Sequence, residues 1–309
     1  MKKDLLTVKD LAIEDIFSIF SEAEGLKREP FLRSDTLKDK VVGLIFQKPS
    51  NRTRVSFEVG VIQLGGHSLY LGPDDIKFGQ REAIKDIARV LSRYVQVVAL
   101  RTFSHKDIEE FAMYSHIPVI NALSDLYHPC QALADIFTIK EKVKDIEGKT
   151  LCFIGDGNNV LHSLLYCASK VGMNLKVVAP KKYGPNESIL RASKKIAKDT
   201  GCKIEVTRDI AEGVRTADVI YTDVWVSMGQ EAQREKVKHF KGLQVNDKLL
   251  KKAKKDCLVM HCLPAHRGQE ITDSVIEGKN SIVFDQAENR LHIEKAIMVK
   301  LIRRYLNDK

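Results

Sequence analysis

The sequence predicts an α/β protein of two doubly wound halves, each a parallel sheet flanked by helices, with helices linking the halves. Three observations predict it. Short apolar, β-branched runs alternate with longer segments of helical period along the whole chain. The 309 residues are about two of the ~150-residue domains usual in globular chains. Polar and glycine-bearing motifs fall directly after several of the apolar runs, where a parallel sheet carries its ligands.

In the first half, strands are expected near 41–46, 67–71, 95–101 and 117–121, with helices such as 52–64 and 81–93 between them. The second of these helices places Ile84, Ile87, Ala88 and Leu91 at helical spacing. A helix from Gln131 to about Val143 and a turn at 145–149, where Gly148 restarts the chain as a strand, divide domains at 1–147 and 148–309. Strands follow near 150–155, 174–179, 203–207, 218–222, 257–261 and 281–284. An amphipathic segment from about 286 to 306 closes the chain, with Leu291, Ala296, Ile297, Leu301 and Ile302 along one side. Segment 286–309 is expected to pack back on the first domain. Ligand sites are expected in the cleft faced by the C-terminal ends of the strands.

Composition narrows the class. Apolar residues make up 44% and charged residues 29%, which argues against a disordered, collagen-like or disulfide-stapled chain. No run approaches the ~20 apolar residues of a membrane span. Asp4, Asp10, Glu14 and Asp15 interrupt the N-terminus before any secretory apolar block, so the chain reads as cytoplasmic. Cysteines 130, 152, 167, 202, 257 and 262 form no C-x-x-C pair, which points to reduced thiols and to no metal site. The net charge of +9 is densest at Lys251, Lys252, Lys254 and Lys255, where it reads as the solvated face of an amphipathic helix. No basic stripe interleaved with aromatics is present, so a nucleic-acid partner is not expected.

Six motifs, and Arg101 beside them, carry candidate chemistry. Ser50, Asn51, Arg52, Thr53 and Arg54 follow a strand and open a helix, stacking hydroxyl, amide and guanidinium donors on free backbone N–H groups. That is an oxyanion cradle, or else a serine cap beside two solvated arginines. Arg101 ends the apolar run 95–100, a position that directs a charge toward a ligand or a salt-bridge partner. His128-Pro129-Cys130-Gln131 offers donors to a carbonyl oxygen at a helix start. Gly155-Asp156-Gly157-Asn158-Asn159-Val160 suggests a dinucleotide turn, but Val160 stands where the third glycine belongs and no acid follows the next strand, so a dehydrogenase is disfavoured and no cofactor is expected. Asp223 to Gly229 joins a carboxylate, the only Trp, Ser227 and Met228, a set suited to an ammonium group and a covering loop. The remaining candidates are Cys262 and Leu263 in His261-Cys262-Leu263-Pro264, and Arg290 at the opening of the last helix.

In joint order these motifs resemble the ornithine carbamoyltransferase (ornithine transcarbamylase) family, from about Leu5 to the C-terminal helix. Ser50 to Arg54 is similar to its S-T-R-T-R motif and His128 to Gln131 to its H-P-x-Q. Asp223 to Gly229 and His261 to Pro264 resemble the second-substrate signature of the ornithine branch. The resemblance implies a homotrimer with carbamoyl phosphate on the first domain and L-ornithine on the second. It implies that Ser50, Asn51, Arg52 and Thr53 hold the phosphate, with Gln80 from a neighbouring subunit, and that Arg290 neutralises it. Arg101, His128 and Gln131 would hold the carbamoyl group. Asn159, Asp223, Ser227 and Met228 would bind the amino-acid end of ornithine, with Cys262 and Leu263 meeting the δ-amine and the carbamoyl group. Arg101, His128 and Cys262 would be catalytic. Asn51 departs from the family's usual Thr, and an altered phosphate affinity is expected there. The product would be L-citrulline, as in arginine biosynthesis.

Overall fold

A computed structural model of the chain describes residues 1–29, 34–226 and 231–308. Two compact units emerge: Met1–Ala134 with Glu288–Lys309, and Asp135–Ala287. Both boundaries lie inside helices.

The first unit begins with α1 (Ile13–Arg28) and continues through β1 (Val41–Phe46), α2 (Asn51–Gln63), β2 (His67–Leu71), α3 (Pro73–Ile76), α4 (Ile84–Leu91), β3 (Val97–Arg101), α5 (His105–Tyr114) and β4 (Val119–Leu123) into α6 (Pro129–Val143). Its four strands are parallel in the order β2-β1-β3-β4. Strand β1, and β3 as far as Leu100, are apolar because both their faces are covered, which is what a doubly wound sheet demands. Ile45, Val98 and Leu100 pack there with Ile87, Ile108 and Phe111. Strand β4 starts at Val119, two residues later than its apolar run suggests, behind Pro118, which has no N–H to give. The β3–β4 register shifts between Leu100 and Arg101, an irregularity of the kind that re-aims a side chain at the end of a strand.

The second unit runs β5 (Thr150–Ile154), α7 (Asn159–Lys170), β6 (Asn174–Val178), α8 (Glu187–Thr200), β7 (Ile204–Thr207), α9 (Ile210–Val214), β8 (Val219–Thr222), α10 (Asp247–Leu250), β9 (Leu258–His261) and α11 (Asp273–Ile276) into α12 (Val283–Asn307). These five strands are also parallel, in the order β7-β6-β5-β8-β9. Gly148 makes the turn into β5 at φ +70°, a conformation that glycine adopts without a Cβ penalty. One core face gathers Ile154, Val178, Ile220 and Val259 against Phe240, Leu249 and Ile271.

Two expectations need correction. Segment 281–284 is not a strand: Ser281 makes only an isolated bridge to Val259, and α12 begins at Val283. A three-residue apolar run reads alike as strand or as first helical turn, and the adjoining helix took it. The lysines 251–255 do not ride a long helix either. Helix α10 is a single turn ending at Leu250, and Lys251, Lys252, Lys254 and Lys255 are exposed in the turns behind it. Among the described residues no helix is long and apolar enough to cross a membrane.

Gly213 on α9 lies so close to β6 that a Cβ would sit 2.3 Å from Val178 Cγ2 and 3.3 Å from Cys152 Sγ. Gly213→Ala is therefore expected to destabilise the protein by about 1–3 kcal/mol through overpacking. Denaturant unfolding checks this, and an unchanged midpoint would show that the helix can back away from the sheet at no cost.

Candidate active site

The cationic half of the candidate site residues is built in the first unit. Strand β1 delivers the chain to Ser50, which caps α2 by accepting from the Thr53 N–H at 3.3 Å. Arg52 is half-buried and Thr53 buried, while Asn51 is exposed at the first helical position. Arg54 turns away: its guanidinium stacks 3.6 Å from the Tyr70 ring centroid and Nε donates to Glu58 at 3.0 Å. Arg101 at the end of β3 is 8% exposed, and its Nε–H has no hydrogen-bond acceptor among the described residues. A buried guanidinium with a spare donor is a costly arrangement that an arriving anion relieves.

Helices α6 and α12 complete this half. His128 directly precedes α6, and Gln131 lies in its first turn. From α12, the Arg290 guanidinium donates Nη1 to Gln131 Oε1 at 2.7 Å and Nη2 to Thr53 Oγ1 at 3.2 Å. Lys48, which sequence reasoning left out of the site, is buried 4.8 Å from the Phe103 ring centroid. The signal that could have found it was its place in the same strand-end motif as Ser50. Burial, then Arg290 and Arg52, pull Arg101 down to about 10. Burial and the neighbouring Arg101 also lower the Lys48 ammonium. His128 is pushed furthest, by burial first and then by Arg290, Arg101, Lys48 and Arg52, so it is an uncharged imidazole at neutral pH. These mutual shifts gather Lys48, Arg52, Arg101, His128 and Arg290 in one cationic cluster, to which hydrogen bonds add Thr53 and Gln131 through Arg290 and Ser50 through Thr53. Gln80 is exposed, with its backbone N–H on the Lys77 carbonyl at 2.8 Å.

The second unit builds a different site at the C-terminal ends of β5, β8 and β9. Asp223, just past β8, is its hub. Its Oδ2 accepts from Asn158 Nδ2 at 2.7 Å, and its Oδ1 accepts from Cys262 Sγ at 3.1 Å and from the Val224 N–H at 2.8 Å. Asn158 also caps α7 through Oδ1. The side chain bound to Asp223 is thus Asn158, which sequence reasoning passed over, while Asn159 is half-buried in the first turn of α7. Two adjacent asparagines at a strand end cannot be told apart by spacing. Ser227 and Met228 lie outside the described residues. Trp225 stacks on Phe240 at 5.4 Å, and Lys236 pairs with Asp156 at 2.5 Å, fixing the chain on either side of that segment.

Cys262 and Leu263 follow β9 in a turn held by buried groups. His261 Nδ1 accepts the Leu263 N–H at 2.9 Å, which puts the ring proton on Nε2, 3.1 Å from Glu270 Oε1. Donor atoms of Asp223, His261 and Cys262 lie within 4.8 Å of one another, a spacing that a metal ion could bridge. Each is already committed to a hydrogen bond. Burial and the Asp223 carboxylate push the Cys262 thiol well above its ordinary range, so at neutral pH it is a donor to Asp223 and not a thiolate. A protonated thiol that donates to a carboxylate is not a base.

The chain belongs to the aspartate/ornithine carbamoyltransferase family. The family's carbamoyl-P binding domain matches residues 3–141, and its Asp/Orn binding domain matches residues 147–301. Similar relatives include ornithine carbamoyltransferases of Archaeoglobus fulgidus, 54% identical over 97% of each chain, and of Bacillus cereus, 50% identical over 97% of this chain and 95% of the relative. Among solved structures, the ornithine carbamoyltransferase of Pyrococcus furiosus is 49% identical and superposes with a TM-score of 0.93 over 96% of this chain and 95% of that one. The anabolic ornithine carbamoyltransferase of Campylobacter jejuni, 40% identical, also gives 0.93 over 98% and 100%.

Two measurements check the electrostatics. Iodoacetamide at pH about 8 should alkylate Cys262 at least about tenfold more slowly than free cysteine, because thiolate is the reactive form. Labelling at the free-cysteine rate would contradict the raised pKa. In NMR titrations the His128 ring resonances should stay in their neutral positions down through the ordinary histidine pKa of ~6.5, since its folded pKa is depressed. A midpoint at that value would show that the surrounding cations do not act on the ring.

Proposed function

We propose that this enzyme transfers the carbamoyl group of carbamoyl phosphate to the δ-amine of L-ornithine, giving L-citrulline and phosphate, the reaction named by the relatives it resembles along nearly its whole length. The observation that carries the residue-level reading is the contrast of charge: one unit gathers Lys48, Arg52, Arg101 and Arg290, as a dianion requires, and the other ends a strand in Asp223, as an ammonium group requires. In this reading Ser50, Asn51, Arg52, Thr53 and Arg290 take the phosphate. Arg101, His128 and Gln131 take the carbamoyl oxygen, whose negative charge grows as the amine attacks. A neutral imidazole suits that work, because it can donate to the oxyanion without being a competing acid. Asn159, Asp223, Ser227 and Met228 take the amino-acid end of ornithine, with Asn158 holding Asp223 and with Cys262 and Leu263 beside the amine.

The attacking amine has a lysine-like pKa of ~10.4 and must shed a proton. Cys262, a thiol, and His128, a poor base among cations, are both unsuited to receive it. The departing phosphate, which gains charge as its bond to the carbamoyl carbon breaks, is the base of matching strength. No covalent enzyme intermediate is needed.

We also propose a homotrimer in the cytoplasm, with Gln80 completing the phosphate site of a neighbouring subunit. Exposed Val55, Ile62 and Leu69 on α2 and the edge strand β2 supply apolar surface for such contacts, and the six free thiols suit a reducing compartment.

Citrulline formation, run with L-ornithine beside aspartate, putrescine and N-acetylornithine, tests the reaction, and strong preference for ornithine is expected. Arg101→Ala should cost about 10²-fold or more in kcat, and near-normal turnover would remove Arg101 from the oxyanion site. Asp223→Asn should raise the KM for ornithine about tenfold or more, the usual worth of a charge-assisted hydrogen bond. An unchanged KM would mean that the ammonium group binds elsewhere. Light scattering should give the mass of three chains, and a monomer would rule out the shared Gln80.

A further inference from the structure

Glu294 stands one turn after Arg290 on α12 and is completely buried. Its Oε1 accepts from Arg290 Nε at 3.2 Å and Nη2 at 2.5 Å, and its Oε2 accepts from Ser56 Oγ on α2 at 2.5 Å. The guanidinium so held is the one that reaches Gln131 and Thr53. The groups facing the Glu294 carboxylate are Arg290 on its own helix, Ser56 on α2 and Cys130 on α6, whose thiol is kept protonated by burial. A negative charge is therefore built into the wall of a site that is otherwise cationic. When a dianion arrives, it competes with this carboxylate for Arg290 and is repelled by it.

We propose that Glu294 is a positioning residue and the internal counter-charge of the anion site: it holds Arg290 on Thr53 and Gln131 while the site is empty, and its ionisation sets how tightly the site takes a phosphate group. The inference rests on the reading of the first unit as a phosphate site. Burial raises the Glu294 pKa above that of an ordinary Glu, although Arg290 and Ser56 draw it back. As pH falls through that raised value the carboxyl becomes neutral, the repulsion ends, and dianion binding strengthens.

Calorimetric titration of the intact enzyme with inorganic phosphate and with sulfate, which stays a dianion throughout the range, tests this. Glu294→Gln keeps an acceptor for Arg290 and removes the charge, while Ser56 can still donate to the Thr53 carbonyl, 3.3 Å away. At pH about 7.5 the variant should bind sulfate at least about fivefold more tightly than wild type. The ratio should shrink toward one as pH is lowered from about 8 through the raised Glu294 value, because wild-type Glu294 then comes to resemble Gln. A role confined to packing would lower affinity, or change it by a factor that does not vary with pH, and either result overturns the proposal. Ser56→Ala supplies a second test should the first variant fold poorly. Losing that donor moves the Glu294 titration upward, so the rise in sulfate affinity should begin at higher pH, and an unmoved profile overturns the proposal. Wild-type protein that binds neither anion would overturn the phosphate-site reading itself and the inference with it, an outcome distinct from normal binding that Glu294→Gln leaves unaltered.

Discussion

The first unit holds Lys48, Arg52, Arg101 and Arg290 around His128 against their mutual repulsion, and much of its local structure serves that purpose. Burial first, and then the like charges brought together, lower these pKa values, and Arg101 at about 10 shows both on a group that ordinarily stays far above it. What keeps them together is a scaffold that leaves no alternative. Strand β1 ends where α2 must start, β3 ends at Arg101, and α12 sets Arg290 against Thr53, Gln131 and Glu294. Clustering like charges in this way costs stability, which an anion bound among them would offset.

In the second unit the organising group is the Asp223 carboxylate. Three hydrogen bonds, from Asn158, Cys262 and the Val224 N–H, fix its orientation. Cys262 illustrates how burial decides chemistry. Beside an acid and half-buried it remains a thiol, and a residue type usually suspected of nucleophilic work becomes a hydrogen-bond donor. The buried His261 and Glu270 pair holds the following turn, so the backbone that carries Leu263 is set by groups that need not touch a substrate.

Where expectation and structure part, the reason is local ambiguity. The run at 281–284 has strand composition and lies beside β9, yet the long helix α12 starts within it. Asn158 and Asn159 are interchangeable in a motif, and it takes the fold to put the Asn158 amide on Asp223. Lys48 has only its place in the strand-end motif as a sequence signal of function, and Glu294 has none. The first becomes notable because Phe103 and Arg101 enclose it, the second because a turn of helix puts a carboxylate behind Arg290.

The sequence by itself determined the two parallel-sheet units, nearly every strand, and the motifs at the strand ends, because apolar periodicity and helix-start chemistry are local properties. Family membership was legible for the same reason, since the motifs are short and keep their order. Only the tertiary structure decided which donors converge, that Arg54 turns out to Tyr70 while Arg290 turns in to Thr53, and that His128 is neutral and Cys262 protonated. Those outcomes depend on burial and on charges brought from distant parts of the chain, and neither is written in any single stretch of residues.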